Sequence, residues 1–278
     1  MSDREEGYSR RRVLGMAAGL SGLVVTSHSA VGQEDTRMLT LAAKPESIAI
    51  DATRTAVIVI DMQNDFGAEG GMFHRAGNDI SLIRSAIAPT SRVLAAARKQ
   101  GVKVIYSKMA FKPDLSDAGP PDSPLLARGL KRFSFGTRVK APNGTEGRIL
   151  VRDTWNTDIL PELTPKPQDI VFYKHRFSGF YQTELDSTLK RLGVRNLVFT
   201  GCTTSVCIES TIRDARFRDY VSVLLADCTA EPVGNEFPRS NHAASLYLIE
   251  RQFGWISTSS DFIAALDARP AAAATSKS

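Results

Sequence analysis

The sequence predicts an α/β protein built as three layers, α/β/α, around a mainly parallel six-stranded sheet. Three observations carry that expectation. The apolar runs are short, continuous and rich in β-branched residues, which is the pattern of strands buried on both faces. Stretches of helical period alternate with them, as parallel strands joined by helical crossovers require. Hydrophobic residues make up 42% of the 278 and charged residues 23%, enough apolar material to cover both faces of such a sheet.

Residues 55–61 open the series, with Ala56, Val57, Ile58, Val59 and Ile60 running without a polar interruption into Asp61. Met62-Gln63-Asn64-Asp65-Phe66 and the cluster Gly67, Gly70 and Gly71 then form a loop. Residues 80–100 have helical spacing, with Pro89 marking a break or a second start and Gly101 the end. Strands follow at 102–106 and, after a long insert, at 169–174. A helix at 185–192 is stopped by Gly193. Next come a strand at 196–200, a helix at 205–220, a strand at 221–227, a helix at 238–253 and a short strand at 254–257. This order gives a Rossmann-like arrangement. The insert, residues 108–168, carries Pro113, Pro120, Pro121, Pro124, Pro142, Pro161, Pro165 and Pro167. A stretch that long and irregular inside a compact domain is expected to line or cover a site.

At the N-terminus Ser9-Arg10-Arg11-Arg12-Val13-Leu14, followed by a Gly- and Ala-rich apolar segment, resembles a twin-arginine export signal. The alternative is a basic tail. The apolar segment is too short and too Gly-rich for a stable membrane anchor. The expected organisation is therefore a signal at 1–32, a linker at 33–53, a folded domain at 54–268 and a disordered tail at 269–278, with export to the periplasm or medium.

A net charge of +5 from 35 basic and 30 acidic residues, without a basic stripe interleaved with aromatics, gives no support to nucleic-acid binding. Cys202, Cys207 and Cys228 are too few for a disulfide scaffold. His28, His74, His175 and His242 form no zinc-ligand spacing with the cysteines.

Chemistry gathers at strand ends. Asp61, Lys174 and Cys207 each close or follow a strand, and the C-terminal ends of parallel strands share one edge. There a carboxylate can take the proton of an attacking thiol, and an ammonium can keep that carboxylate ionised. Cys207 also opens a helix, whose N-terminal N–H groups hold an anion and lower a thiol pKa. Taken singly, each residue has a plainer reading: a turn carboxylate, a solvated lysine, a buried inert thiol.

Val59-Ile60-Asp61-Met62-Gln63-Asn64-Asp65-Phe66, the strand ending in Lys174, and Gly201-x-x-Thr204-x-x-Cys207 followed by Glu209-Ser210-Thr211 resemble the isochorismatase-like cysteine hydrolase family. The similarity spans about residues 48–266. The resemblance implies Asp61 as general base, Lys174 as its electrostatic partner and Cys207 as nucleophile. It also implies a cis peptide at Cys202–Thr203, an oxyanion hole from the Thr203 and Cys207 amides, and amide hydrolysis through a thioester. Members acting on isochorismate lack the cysteine, which points to the branch that hydrolyses C–N bonds. Ser107-Lys108-Met109 stands where nicotinamidases of the family carry a metal-binding Asp-x-His, so no metal and no cofactor are expected. A dimer or tetramer is implied.

Residues 176–186 and Phe253-Gly254-Trp255 resemble the branch of ureidoacrylate amidohydrolases and amidases of ureido compounds such as biuret, with Glu231 where a glutamine is expected. The expected substrate is thus a small ureido or carbamoyl amide. Its polar partners are Asn64, Asn156, Gln182 and Glu231, and its apolar walls Phe66 and Tyr181. A carboxylate at Glu231 accepts hydrogen bonds only, which favours donor-rich substrates over carboxylates. The rival readings are a nicotinamidase-like enzyme, an N-carbamoyl amino acid amidase, and a non-catalytic exported ligand-binding protein. A carrier has no need of a reactive thiol.

Overall fold

The computed structural model describes residues 36–234 and 238–268; the export signal expected at 1–32 and the tail at 269–278 lie outside the described residues. In chain order, β1 (Met38–Leu41) and β2 (Ile48–Asp51) pair antiparallel, and β3 (Thr55–Ile60) and β4 (Lys103–Met109) pair parallel. β5 (Arg138–Lys140) and β6 (Glu146–Arg148) form a hairpin in the insert. β7 (Ile170–Lys174), β8 (Asn196–Cys202), β9 (Val221–Ala230) and β10 (Trp255–Ser257) complete the main sheet, whose order is β10-β9-β8-β3-β4-β7. All its neighbours run parallel.

The apolar run of β3 explains its central place. Val57 and Val59 pack on one face with Val93, Leu94 and Phe262, while Ala56, Ile58 and Ile60 pack on the other with Leu189, Phe199 and Ile212. The first face is covered by helices Ile87–Lys99 and Ser259–Asp267, the second by Leu185–Arg191 and Glu209–Arg216. Fully burying each such branched side chain contributes on the order of 1.5–3 kcal/mol.

From β3 the chain builds outward in one direction through β4 and β7, then returns to place β8 on the other side of β3. The order reverses between β3 and β8, and in open parallel sheets ligands bind beyond the strand C-termini at that reversal. Gly201 makes the close approach there: its φ is 118°, and a Cβ would lie 2.0 Å from the Ile60 carbonyl oxygen. Only glycine fits.

Several elements differ from expectation. Residues 38–51 are not a linker but the β1–β2 pair, which buries Leu39, Leu41 and Ile50 in the core and is joined to β10 through a bridge between Lys44 and Ile256. Two runs of four residues are too short for their alternation to stand out in sequence. The stretch 80–100 is split at Ala86, so Pro89 falls in the first turn of Ile87–Lys99. The stretch 205–220 begins as a π-type turn, Thr204–Ile208, before the α-helix Glu209–Arg216, and 238–253 ends in another, Ile249–Phe253. The insert holds a helix, Pro124–Phe133, capped by Ser123, whose side chain accepts from the Leu126 amide. Helix Ser259–Asp267, capped by Thr258 through the Asp261 amide, follows β10.

Candidate active site

Three strand ends bring Asp61, Lys174 and Cys207 together. Asp61 follows β3 with φ 52°, a left-handed conformation rare for a residue with a side chain. Its amide donates to the Ser107 carbonyl at 3.1 Å, and Ser107 Oγ donates to its Oδ1 at 3.1 Å. Lys174 ends β7, two strands away, and reaches across the end of β4. Its Nζ lies 2.6 Å from Asp61 Oδ2 and 3.4 Å from Cys207 Sγ, and it also donates to the Arg176 carbonyl at 3.2 Å. Asp61 and Lys174 are 0% exposed and Cys207 is 5% exposed. Cys207 sits in the turn Thr204–Ile208 that leaves β8, and the peptide between Cys202 and Thr203 is cis.

Burial dominates the electrostatics. It pushes the Asp61 carboxyl up, against the attraction of Lys174. Burial alone would pull the Lys174 ammonium down, but the charges of Asp61 and Cys207 outweigh it and hold the ammonium up. Burial pushes the Cys207 thiol up to about 12, with Lys174 opposing and Asp61 adding to the rise. The helix start at Cys207 does not deliver the low thiol pKa expected from it, because desolvation outweighs the backbone field. Burial therefore favours the neutral thiol, and the Asp61 carboxyl beside Lys174 is the group placed to take a proton from it. Cys202 is also pushed up by burial and donates to the Asp61 carbonyl oxygen at 3.2 Å; all three cysteines are free.

Cys207 opens onto a cavity of about 1180 Å³. Thr203, Ser205 and Val206 line it on the sheet side. Phe66, Met72 and Phe73 line it from the segment after β3, and Phe133, Phe135 and Leu150 from the insert. Arg128, Lys131 and Arg132 of helix Pro124–Phe133, together with Arg176, give it a cationic margin.

The expected substrate residues divide. Phe66 and Glu231 line this cavity with Cys207 and Thr203. Asn64, Asn156, Tyr181 and Gln182 do not. Asn64 Nδ2 donates to the Trp155 carbonyl at 2.7 Å and Asn156 Nδ2 to Asp65 Oδ1 at 2.6 Å, so these amides tie the insert to the loop after β3. Tyr181 is exposed and packs edge-on against His175. Gln182 contacts the same imidazole, Oε1 to Nε2 at 3.3 Å. Gln182 lines a smaller polar pocket together with His175 and Arg176, and the Arg176 guanidinium lies over the Tyr181 ring. Glu231 accepts from the Ser205 amide at 3.1 Å, Ser205 Oγ at 2.6 Å and the Val233 amide at 3.1 Å. Its carboxylate braces the turn carrying Cys207, so the preference for donor-rich substrates drawn from it does not follow.

Sequence reasoning passed over Ser107, Asp65, Arg176 and helix Pro124–Phe133. The capping pair Ser123-Pro124 was a readable signal for that helix. Asp65 and Ser107 stand in segments used for the resemblance, but their partners appear only with the strand register and the folded insert. Among the described residues, no group of three or more His, Cys, Asp or Glu side chains could hold a metal ion.

The isochorismatase domain model matches residues 55–261. The chain is 42% identical over 224 residues to a ureidoacrylate amidohydrolase of Agrobacterium fabrum, covering 81% of this chain and 95% of that one. A ureidoacrylate amidohydrolase of Rhizobium rhizogenes is 41% identical over 232 residues, covering 84% and 91%. Among solved structures, a cysteine hydrolase from Pseudomonas syringae pv. phaseolicola superposes with a TM-score of 0.65 at 26% identity, covering 84% of this chain and 98% of that one. With this match across the whole sheet, the chain belongs to the isochorismatase family of hydrolases.

Proposed function

We propose that this chain is a cysteine-dependent amidohydrolase that cleaves a C–N bond of a small ureido or carbamoyl amide carrying a carboxylate. The observation that carries the reading is Cys207 Sγ, open to the cavity and 3.4 Å from a lysine ion-paired with Asp61. The relatives named ureidoacrylate amidohydrolase support the ureido group. The cationic margin of Arg128, Lys131, Arg132 and Arg176 supports an anionic substrate, since such a field raises its local concentration.

In the reaction, Sγ attacks the carbonyl carbon while its proton passes to Asp61. The Thr203 and Cys207 amides are read as the donors that stabilise the resulting oxyanion. As the C–N bond breaks, Asp61 returns the proton to the leaving nitrogen, and an acyl-thiol intermediate remains. Asp61 then takes a proton from water, whose oxygen attacks the carbonyl, and the thiol regains its proton as the acid leaves. Lys174 stays charged throughout and offsets the burial that would otherwise neutralise Asp61.

The test compares ammonia release from ureidoacrylate, an N-carbamoyl amino acid, biuret and nicotinamide. The ureido acids are expected to give the highest kcat/KM. Nicotinamide as the best of the four would overturn the reading.

Two further proposals rest on the sequence resemblances. Export by the twin-arginine route rests on Ser9 to Leu14, and replacing Arg10 and Arg11 with Lys should retain the protein inside the cell. A dimer or tetramer is tested by sedimentation, where a monomer at working concentration would remove it.

A further inference from the structure

Asp65 lies four residues beyond the general base, is 0% exposed, and takes no part in the chemistry above. Its Oδ1 accepts from the Met72 amide at 2.9 Å and from Asn156 Nδ2 at 2.6 Å, and its Oδ2 accepts from the Leu150 amide at 2.7 Å. Met72 and Leu150 line the substrate cavity, as does Phe66, the next residue in the chain. One carboxylate therefore joins the short helix Asn64–Gly67 after β3, helix Met72–Arg75 and the insert, and each of those segments contributes a wall residue. The Asn156 amide is itself confined: a Cβ on Gly147 would lie 2.2 Å from its Oδ1.

A buried carboxylate is a costly way to tie loops together, and its hold depends on its charge. We propose that Asp65 is a positioning residue whose ionised carboxylate sets the apolar wall of the cavity, so that substrate affinity, and not the chemical step, follows its protonation. Burial pushes this carboxyl up to about 7, against the hydrogen bonds from Asn156, Leu150 and Met72 and the charge of Arg75. On helix Met72–Arg75, Arg75 is turned to the carbonyls of Gly70 and Lys140, and the exposed His74 accepts from the Gly70 amide through Nδ1 at 3.2 Å. On the insert, Arg148 is turned to the carbonyls of Gly136 and Pro113, Arg152 pairs with Asp117, Asp153 accepts from Tyr173, and Asp158 faces Lys108. Ionised, Asp65 only accepts, which suits its three N–H partners; protonated, one oxygen becomes a donor among donors and the wall loosens.

The choice of ligand rests on the amidohydrolase reading, so the test has one arm that needs a ligand and one that does not. In Cys207→Ala protein, where no turnover intervenes, ureidoacrylate binding measured calorimetrically should weaken about tenfold from about pH 8 to about pH 6, as expected for a group titrating near neutrality. In the active enzyme, Asp65→Asn should raise KM by a similar factor and leave kcat within about threefold. Without ligand, the Met72 methyl resonance of the wild-type protein should titrate near pH 7 and cease to do so in Asp65→Asn. A flat Met72 titration in the wild type, or a kcat that falls in step with the rise in KM, would overturn the proposal. A titrating Met72 together with no binding of ureidoacrylate at any pH supports Asp65 in this role and defeats the functional reading alone. The wild-type titration decides even if Asp65→Asn fails to fold.

Discussion

The sheet edge carries Asp61, Lys174 and Cys207 on the ends of three strands, whereas the opposite wall of the cavity hangs from the insert on bonds between side chains and backbone. On the sheet side the positions are set by parallel register: Ile60 pairs with Ser107 and with Gly201, and Met109 pairs with Lys174. On the insert side they are set one contact at a time, by Asp65 on the Leu150 amide, Arg148 on the Gly136 carbonyl and Thr154 Oγ1 on the Val151 carbonyl. The difference teaches where each property resides. Topology brings the thiol, the carboxylate and the ammonium to one place, and the insert lines the cavity across from them.

Breaking the sheet edge should have the largest effects. On the proposed mechanism Cys207→Ala removes the thiol that forms the acyl intermediate, so turnover falls to background while thermal unfolding and substrate affinity stay near wild type. A variant with near-normal activity would end the covalent reading. Asp61→Asn removes base assistance, commonly worth about 10²–10⁴-fold in rate. Lys174→Ala acts on stability as well, because it leaves Asp61 buried without its counter-charge, a change that costs about 3–5 kcal/mol. Urea unfolding checks this, and an unchanged midpoint would show that the pair at 2.6 Å contributes to catalysis alone.

The insert should respond differently. A Cβ on Gly129 would lie 2.1 Å from the ring of Phe135, a wall residue. Gly129→Ala must therefore displace the ring, an overpacking that costs about 1–3 kcal/mol, and KM should rise several-fold with kcat nearly unchanged. If kcat drops as far as KM rises, the two walls are not independent and the comparison fails.

The same contrast governs what the sequence made legible. The runs ending at Asp61 and Lys174 and the Gly201-to-Cys207 turn are local patterns, so the strands and the trio could be read directly. Of the expected polar substrate residues Glu231 lies on the cavity, whereas Asn64, Asn156 and Gln182 do not, because a side-chain amide in a loop carries no record of its partner in sequence. Asn64 and Asn156 are consumed by the insert, and Tyr181 and Gln182 face His175. The Cys207 thiol was misread for a related reason: a helix start is visible in sequence, but the depth of burial is not, and burial decides the pKa.

The smallest expected effect falls on Glu231. It lines the cavity yet accepts from Ser205, at the start of the turn that carries Cys207, and from Val233, just beyond β9. Glu231→Gln keeps the shape and one acceptor oxygen but turns the other position into a donor. With its oxygen on the Ser205 side, the new amide faces the Val233 N–H, a donor against a donor; with its oxygen on the Val233 side, Ser205 Oγ can reverse and accept, and only the Ser205 N–H loses its bond. Either arrangement costs at least one of these hydrogen bonds, about 1 kcal/mol each, which is roughly a fivefold change in an equilibrium constant. The variant should therefore fold with a slightly lower unfolding midpoint and keep kcat/KM for ureidoacrylate within about tenfold, with no change in its preference over biuret. A reversal of that preference would show that Glu231 meets the substrate directly and would restore the selecting role that its hydrogen bonds to Ser205 now argue against.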